Sequence, residues 1–234
     1  MIKAILFDLD GTLLPMDNDE FTRGYFRLLC TKLAPHGYDP GALVEGIWAG
    51  TAAMIRNDGS CTNEEAFWNK FASLFGEKCF ADKPIFELFY QNEFQTAKAH
   101  CRLAPESGEI VALAKAKGYR TVLATNPIFP AIATESRMRW AGLAPEDFEF
   151  YTTYENMGTC KPNPAYYREI LRHIGLEPET CLMVGNDVGE DMIAAEIGMP
   201  VYLLTDCLIN RSGRDLSAYP HGTFADLKKF IETL

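Results

Sequence analysis

Residues 3–9, KAILFDL, form a short apolar run that is ended by Gly11. A continuous apolar run of this length predicts a strand buried on both faces. From about Pro15 to about residue 103 the pattern changes. Phe21, Tyr25, Leu28 and Leu29 fall at i, i+4, i+7 and i+8, and Ala66, Phe67, Lys70, Phe71 and Leu74 repeat the spacing, so each set shares one helical face. Breaks at Pro35-His36-Gly37, Asp39-Pro40-Gly41, Asn57-Asp58-Gly59 and Gly76 divide this stretch, and period-two strand patterns are scarce. It reads as a helical block.

After Pro105 the two periods alternate. GEIVALAKAKG predicts a helix closed by Gly118, YRTVLATN a strand, PAIATESRMRWAGL a helix and FEFYTTY a strand. NPAYYREILRHIGL predicts a helix, TCLMVGND a strand, DMIAAEIG a helix, PVYLLTD a strand and ADLKKFIETL a last helix. Such alternation builds a doubly wound parallel sheet with helices on both faces, an α/β fold to which the strand at 3–9 belongs. The expected organisation is an α/β core of residues 1–14 and 104–234, with a helical domain of residues 15–103 inserted after the first strand.

Composition narrows the partners. At 234 residues the chain accommodates one large domain or a core with an insert, and 47% apolar with 23% charged residues is ordinary for a soluble protein. The net charge of −10 excludes the basic stripe that nucleic acid needs, but not a small anionic substrate, because a metal and a few local cations reverse the field in a cleft. The seven cysteines, at 30, 61, 79, 101, 160, 181 and 207, are odd in number and form no C-x-x-C pair; they read as scattered buried thiols in a reducing cytoplasm. The N-terminus is not a secretory signal, and no apolar stretch reaches membrane-spanning length. A cytoplasmic monomer or homodimer with no membrane partner is expected.

The polar residues cluster where strands end. The first strand runs into Asp8-x-Asp10-Gly11-Thr12, the second into Thr125-Asn126, the third leads to Lys161-Pro162, and the fourth ends at Gly185-Asn186-Asp187 with Asp191 four residues later. Ligands of open α/β sheets bind at the carboxyl ends of the strands, so one sheet brings these groups to one rim. Three or four carboxylates so placed call for a hard cation, and few protein ligands with room for water suit Mg²⁺. A hydroxyl, an ammonium and backbone N–H groups at helix starts bind phosphate oxygens. One carboxylate can attack phosphorus and a second can move the proton.

The order DxDGT, strand-end Thr, Lys-Pro, then GxD with a further Asp four on resembles the haloacid dehalogenase-like (HAD) hydrolase superfamily. The likeness covers the core, about 1–14 and 104–234, and the insert falls where the family places its helical C1-type cap. The resemblance implies a Rossmann-like core, a Mg²⁺ cofactor and a phosphatase acting on a small phosphorylated metabolite through an aspartyl-phosphate. Asp8 matches the nucleophile and Asp10 the general acid/base, whose backbone carbonyl also meets the metal. Thr125 matches the phosphate-binding hydroxyl, with Asn126 beside it, and Lys161 the lysine that neutralises nucleophile and phosphate. Asp8, Asp10 and Asp187 are the implied metal ligands and Asp191 the outer-shell carboxylate. A phosphomutase uses the same residues, and a non-catalytic phosphate-binding or regulatory protein is a further alternative. Family dehalogenases are metal-free and do not need the second aspartate, and the phosphonatase branch has a small residue at the Asp10 position.

Other polar residues have plainer readings. DLDGTL is no calcium loop, because Gly falls too early and no Glu follows at the twelfth position. Asp17-Asn18-Asp19-Glu20 suits a helix start. His36, His100, His173 and His221 lack ligand spacing. Trp48, Trp68 and Trp140 are expected in the core or at a domain interface, and Arg23, Arg56, Asn57 and Glu190 in solvent.

Overall fold

The structure, a computed structural model, describes residues 1–234. Six strands follow in chain order: β1 (Ala4–Phe7), β2 (Arg120–Leu123), β3 (Phe150–Tyr151), β4 (Cys181–Gly185), β5 (Val201–Leu204) and β6 (His221–Gly222). They form one sheet in the order β3-β2-β1-β4-β5-β6, every pair parallel. β1 lies between β2 and β4, with Phe7 level with Leu123 and Val184. The winding direction reverses beside β1, which opens a crevice at its carboxyl end.

The unbroken apolar run of β1 reflects two cores. Ala4 and Leu6 pack on one face with Val122, Met183 and Tyr166, while Ile5 and Phe7 pack on the other with Leu123 and Val184. The second core continues into the helical block. Four helices stand against the sheet: α6 (Pro105–Ala116), α7 (Ala131–Trp140), α8 (Pro164–Ile174) and α9 (Phe224–Thr233); the five that precede them in the chain, α1 (Asn18–Leu33), α2 (Pro40–Ile55), α3 (Asn63–Phe75), α4 (Lys78–Ala81) and α5 (Lys83–Gln91), all lie between β1 and β2. Local chemistry starts them. Asp17 accepts from the Glu20 N–H at 2.9 Å, so the acidic run does open α1, and Thr62 with Glu65 closes a capping box on α3.

Several elements differ from expectation. FEFYTTY contributes two strand residues, and β6 carries no sequence signal because it is two residues long. DMIAAEIG winds as a 3-10 helix over Met192–Ile197. On α3 the buried face is Phe67, Trp68 and Phe71, and Leu74 is half exposed. Phe75 takes the inward place, its ring 4.4 Å from that of Phe71 and 5.3 Å from that of Tyr38. Trp48 is exposed rather than packed away.

Asn57 is buried rather than solvated. Its Nδ2 donates to the Cys61 carbonyl at 2.9 Å and to Asn63 Oδ1 at 3.0 Å. The Asn63 amide in turn reaches the carbonyls of Pro127 and Thr159, both at 3.3 Å, and the Asn63 N–H donates to Met157 O at 2.8 Å. This buried polar strap fastens the start of α3 to the loops beyond β2 and β3. Replacing Asn63 by Leu takes one of two acceptors from the Asn57 amide and the side-chain donor from two carbonyls, and costs about 2 kcal/mol at an unsatisfied buried group. For a chain of this size that lowers Tm by about 4–8 °C. A thermal melt checks it, and an unchanged Tm contradicts the strap.

Candidate active site

The turn after β1 is built by its backbone. Thr12 N and Leu14 N both donate to Leu9 O, at 3.1 and 2.8 Å, and Gly11 N donates to Leu14 O at 2.9 Å. Gly11 has φ +84°, and a Cβ there would overlap the Asn186 side chain. The turn leaves Asp8 at the strand end and swings Asp10 to the side.

Asp8 is buried and doubly held. Lys161 Nζ donates to its Oδ1 at 2.8 Å and the Thr12 hydroxyl to its Oδ2 at 2.9 Å. Lys161 enters from the loop before α8, ahead of a cis peptide bond to Pro162, and its Nζ also donates to Asp191 Oδ1 at 2.6 Å. Burial works against the ammonium, but the Asp191 and Asp8 carboxylates outweigh it and hold the Lys161 pKa well above its usual value. Asp191 is buried too; desolvation pushes it up to about 7 against the pull of Lys161.

Asp187 and Asp191 shape one turn. Asp187 N donates to Asp191 Oδ2 at 2.9 Å, and Asp187 Oδ1 accepts from the N–H groups of Gly189 and Glu190 at 2.6 and 3.0 Å. A Cβ at Gly185 would overlap the Asp191 carboxylate, so the strand end must be glycine for Asp191 to reach Lys161. Thr125 is buried at the end of β2, its carbonyl accepting from Thr152 Oγ1 at 2.6 Å and the Tyr166 hydroxyl at 2.8 Å. Asn126 Nδ2 donates to Glu190 Oε2 at 3.2 Å. Glu190 therefore lines the crevice instead of facing solvent, and burial raises its pKa.

The residue that sequence reading overlooked is Arg137 on α7. It is 1% exposed, and its Nη1 donates to Asp10 Oδ2. Its guanidinium lies over the Phe129 ring, 4.4 Å from the centroid. Desolvation raises the Asp10 pKa, Arg137 opposes this, and the nearby Asp8 charge adds to the rise. Asp10 Oδ1 is buried with no hydrogen-bond partner. α7 also buries Ala133, Thr134, Ser136, Met138 and Trp140, so Arg137 lies on its packed side, which no local pattern in the sequence signals.

Asp8, Asp10, Thr125, Asn126, Asp187 and Asp191 all line one cavity of about 450 Å³, which opens from the sheet edge into the helical block. Five carboxylates, counting Glu190, thus line the cavity, and the two buried cations stand behind them, Lys161 against Asp8 and Asp191 and Arg137 against Asp10. No three acidic, imidazole or thiolate side chains converge into a ready metal cluster.

Similarity to known proteins agrees with this layout. The haloacid dehalogenase-like hydrolase family matches residues 2–197. A glyceraldehyde 3-phosphate phosphatase of Methanothermobacter thermautotrophicus is 27% identical over 219 residues, covering 92% of this chain and 90% of that protein. Among solved structures, CbbY of Rhodobacter sphaeroides in complex with phosphate superposes with a TM-score of 0.60 at 21% identity, covering 97% of this chain and 96% of that one. A 2-haloacid dehalogenase of Pseudomonas syringae pv. tomato gives 0.64 at 20% identity, covering 100% and 99%. These structural likenesses establish the fold and leave the reaction to the residues.

The Arg137–Asp10 pair makes a separable prediction. Arg137→Met takes away the ion-pair partner of Asp10, and costs about 3 kcal/mol in urea unfolding, the low end for a buried pair because Asp10 keeps some exposure. Adding Asp10→Asn removes the unpaired charge and recovers most of the loss. Additive losses in the double variant would contradict a direct pairing.

Proposed function

The chain belongs to the haloacid dehalogenase-like hydrolase family, and from that membership we propose that it is a Mg²⁺-dependent phosphatase of small phosphomonoesters. One observation carries the reading. Asp8 stands at the floor of the cavity, held on one oxygen by Lys161 at 2.8 Å and on the other by Thr12 at 2.9 Å, as a fixed nucleophile requires. The related phosphatase of Methanothermobacter supports the same reaction class.

The roles follow from the groups present. Asp8 attacks phosphorus, the bond to the ester oxygen breaks, and Asp8 carries the phosphoryl group as an aspartyl-phosphate. Asp10 gives its proton to the departing alcohol oxygen. It then takes a proton from the water that attacks the phosphorus, which frees phosphate and restores the Asp8 carboxylate. Arg137 aims Asp10, and burial of the Asp10 carboxyl favours the protonated form that the first step needs. Thr125 and Asn126 bind phosphate oxygens, and Lys161 offsets the charge of both Asp8 and the phosphate.

The donor set fits a hard cation. All the candidate donors are oxygens, the carboxylates outnumber the buried cations, and Asp10 Oδ1 lacks a partner. Asp8 and Asp187, with the Asp10 backbone carbonyl and water, would hold Mg²⁺, and Asp191 would order its outer shell. When bound, the ion supplies positive charge for the phosphate oxygens in transit. We assign residues 15–103 as the cap over this site, with the α/β core in 1–14 and 104–234.

Phosphate release from a panel of phosphomonoesters tests the proposal. Release is expected with Mg²⁺, is lost on chelation, and falls about a thousandfold or more in Asp8→Asn, the scale of losing a catalytic nucleophile. Asp8→Asn turnover at the wild-type rate would overturn it.

A further inference from the structure

The wall of the cavity beyond the carboxylates is apolar. Phe21, Phe26, Trp48, Phe67, Trp68 and Phe86 contribute rings to it from α1, α2, α3 and α5. Two of its apolar side chains, Trp48 at 52% and Ile55 at 43%, are left exposed although they belong to the lining. Exposed apolar groups gathered around a concave site mark a surface that a ligand covers.

Most polar groups beside these rings are already engaged, Asn18 and Thr22 of α1 being the exceptions. The Tyr25 and Tyr90 hydroxyls bond each other at 3.0 Å, leaving one O–H of the pair to offer. The Thr51 hydroxyl donates to Ile47 O at 2.9 Å, and Trp68 Nε1 donates to the Tyr154 hydroxyl at 3.5 Å. The charges that reach the wall are either paired, Lys83 with Glu64 at 2.9 Å, or exposed, as Glu87 and Arg211 are. Both buried cations of the crevice are committed to carboxylates. A polyhydroxylated sugar would lose its water along the six rings and find its partners only at the margins, at Asn18, Thr22, Tyr154 and one O–H of the Tyr25–Tyr90 pair, and a second phosphate would find only the exposed Arg211.

We propose that this cavity selects phosphomonoesters whose alcohol part is apolar, aliphatic or aromatic, over sugar phosphates and bisphosphates. The inference rests on the phosphatase reading above and assigns that site its substrate class. The phosphoryl group sits at Asp8 and Thr125, and the alcohol part lies along the ring wall, closing over Trp48 and Ile55.

The test compares esters of unactivated primary alcohols, so that leaving-group chemistry is held nearly constant. With Mg²⁺ present, kcat/KM is measured for n-propyl through n-hexyl phosphate and 2-phenylethyl phosphate, and for glycerol 3-phosphate and glucose 6-phosphate. The expected result is a rise of about fourfold per methylene buried, with 2-phenylethyl phosphate well ahead of both polyol esters. Trp48→Ala, at an exposed position that tolerates substitution, is expected to narrow the ratio of hexyl to glycerol ester, chiefly through KM. Faster turnover of glycerol 3-phosphate or glucose 6-phosphate, or a flat series, overturns the substrate class and leaves the phosphatase reading standing. Hydrolysis of none of the esters overturns the phosphatase reading itself, and the inference with it.

Discussion

Lys161 sits buried between two carboxylates, 2.8 Å from Asp8 and 2.6 Å from Asp191, and the crevice is arranged around that contact. An ammonium taken out of water costs several kcal/mol unless paired and hydrogen-bonded, and so does each carboxylate. None of the three is tolerable there alone. Two negative charges on one positive leave the cluster one charge in excess, and burial, with a smaller push from Asp8, raises the Asp191 pKa against the pull of Lys161. The backbone serves this cluster: glycine at 185 lets Asp191 in, and the tight turn after β1 leaves Asp8 facing the lysine. The same excess charge underlies the proposal of a cation in the site.

The charged groups and the ring wall fall on different layers of the molecule. The charged groups project from the sheet edge, where strand ends are fixed by register on both sides of β1. The ring wall comes from helices that the polar strap of Asn57 and Asn63 ties to the sheet-side loops. Phe129 touches both layers, lining the cavity while its face carries the Arg137 guanidinium. No helix here is long and apolar enough to cross a membrane.

The parallel sheet and the convergence of strand-end groups were legible in the sequence because each motif is contiguous. An apolar run followed at once by Asp, Thr or Asn announces both the strand and its chemistry, even though Asp8 and Lys161 are 153 residues apart. Arg137 was illegible for the opposite reason. Its partner lies 127 residues away, and it sits on a helix with little polar contrast, so nothing local distinguishes it. Glu190 was misjudged because a carboxylate beside a turn is usually solvated; here the Asn126 amide draws it into the crevice. On α3, the helical spacing placed Leu74 on the shared face, whereas aromatic packing against Tyr38 gave the inward place to Phe75. Spacing selects a helix; ring size decides which of two adjacent stripes is buried.

Chemical trapping tests most directly the central claim that Asp8 carries the phosphoryl group. The Asp10→Asn variant, slowed in hydrolysis of the intermediate, is mixed with p-nitrophenyl phosphate, whose leaving group departs without a proton so that the first step does not need Asp10, then quenched with acid and treated with borohydride, which reduces an acyl phosphate but not a free carboxylate. Peptide mass spectrometry then locates the reduced residue. The account predicts reduction at Asp8 alone, dependent on substrate and absent when Asp8 is replaced by Asn. Reduction at another carboxylate, or phosphate release with no trapped residue under single-turnover conditions, would contradict it.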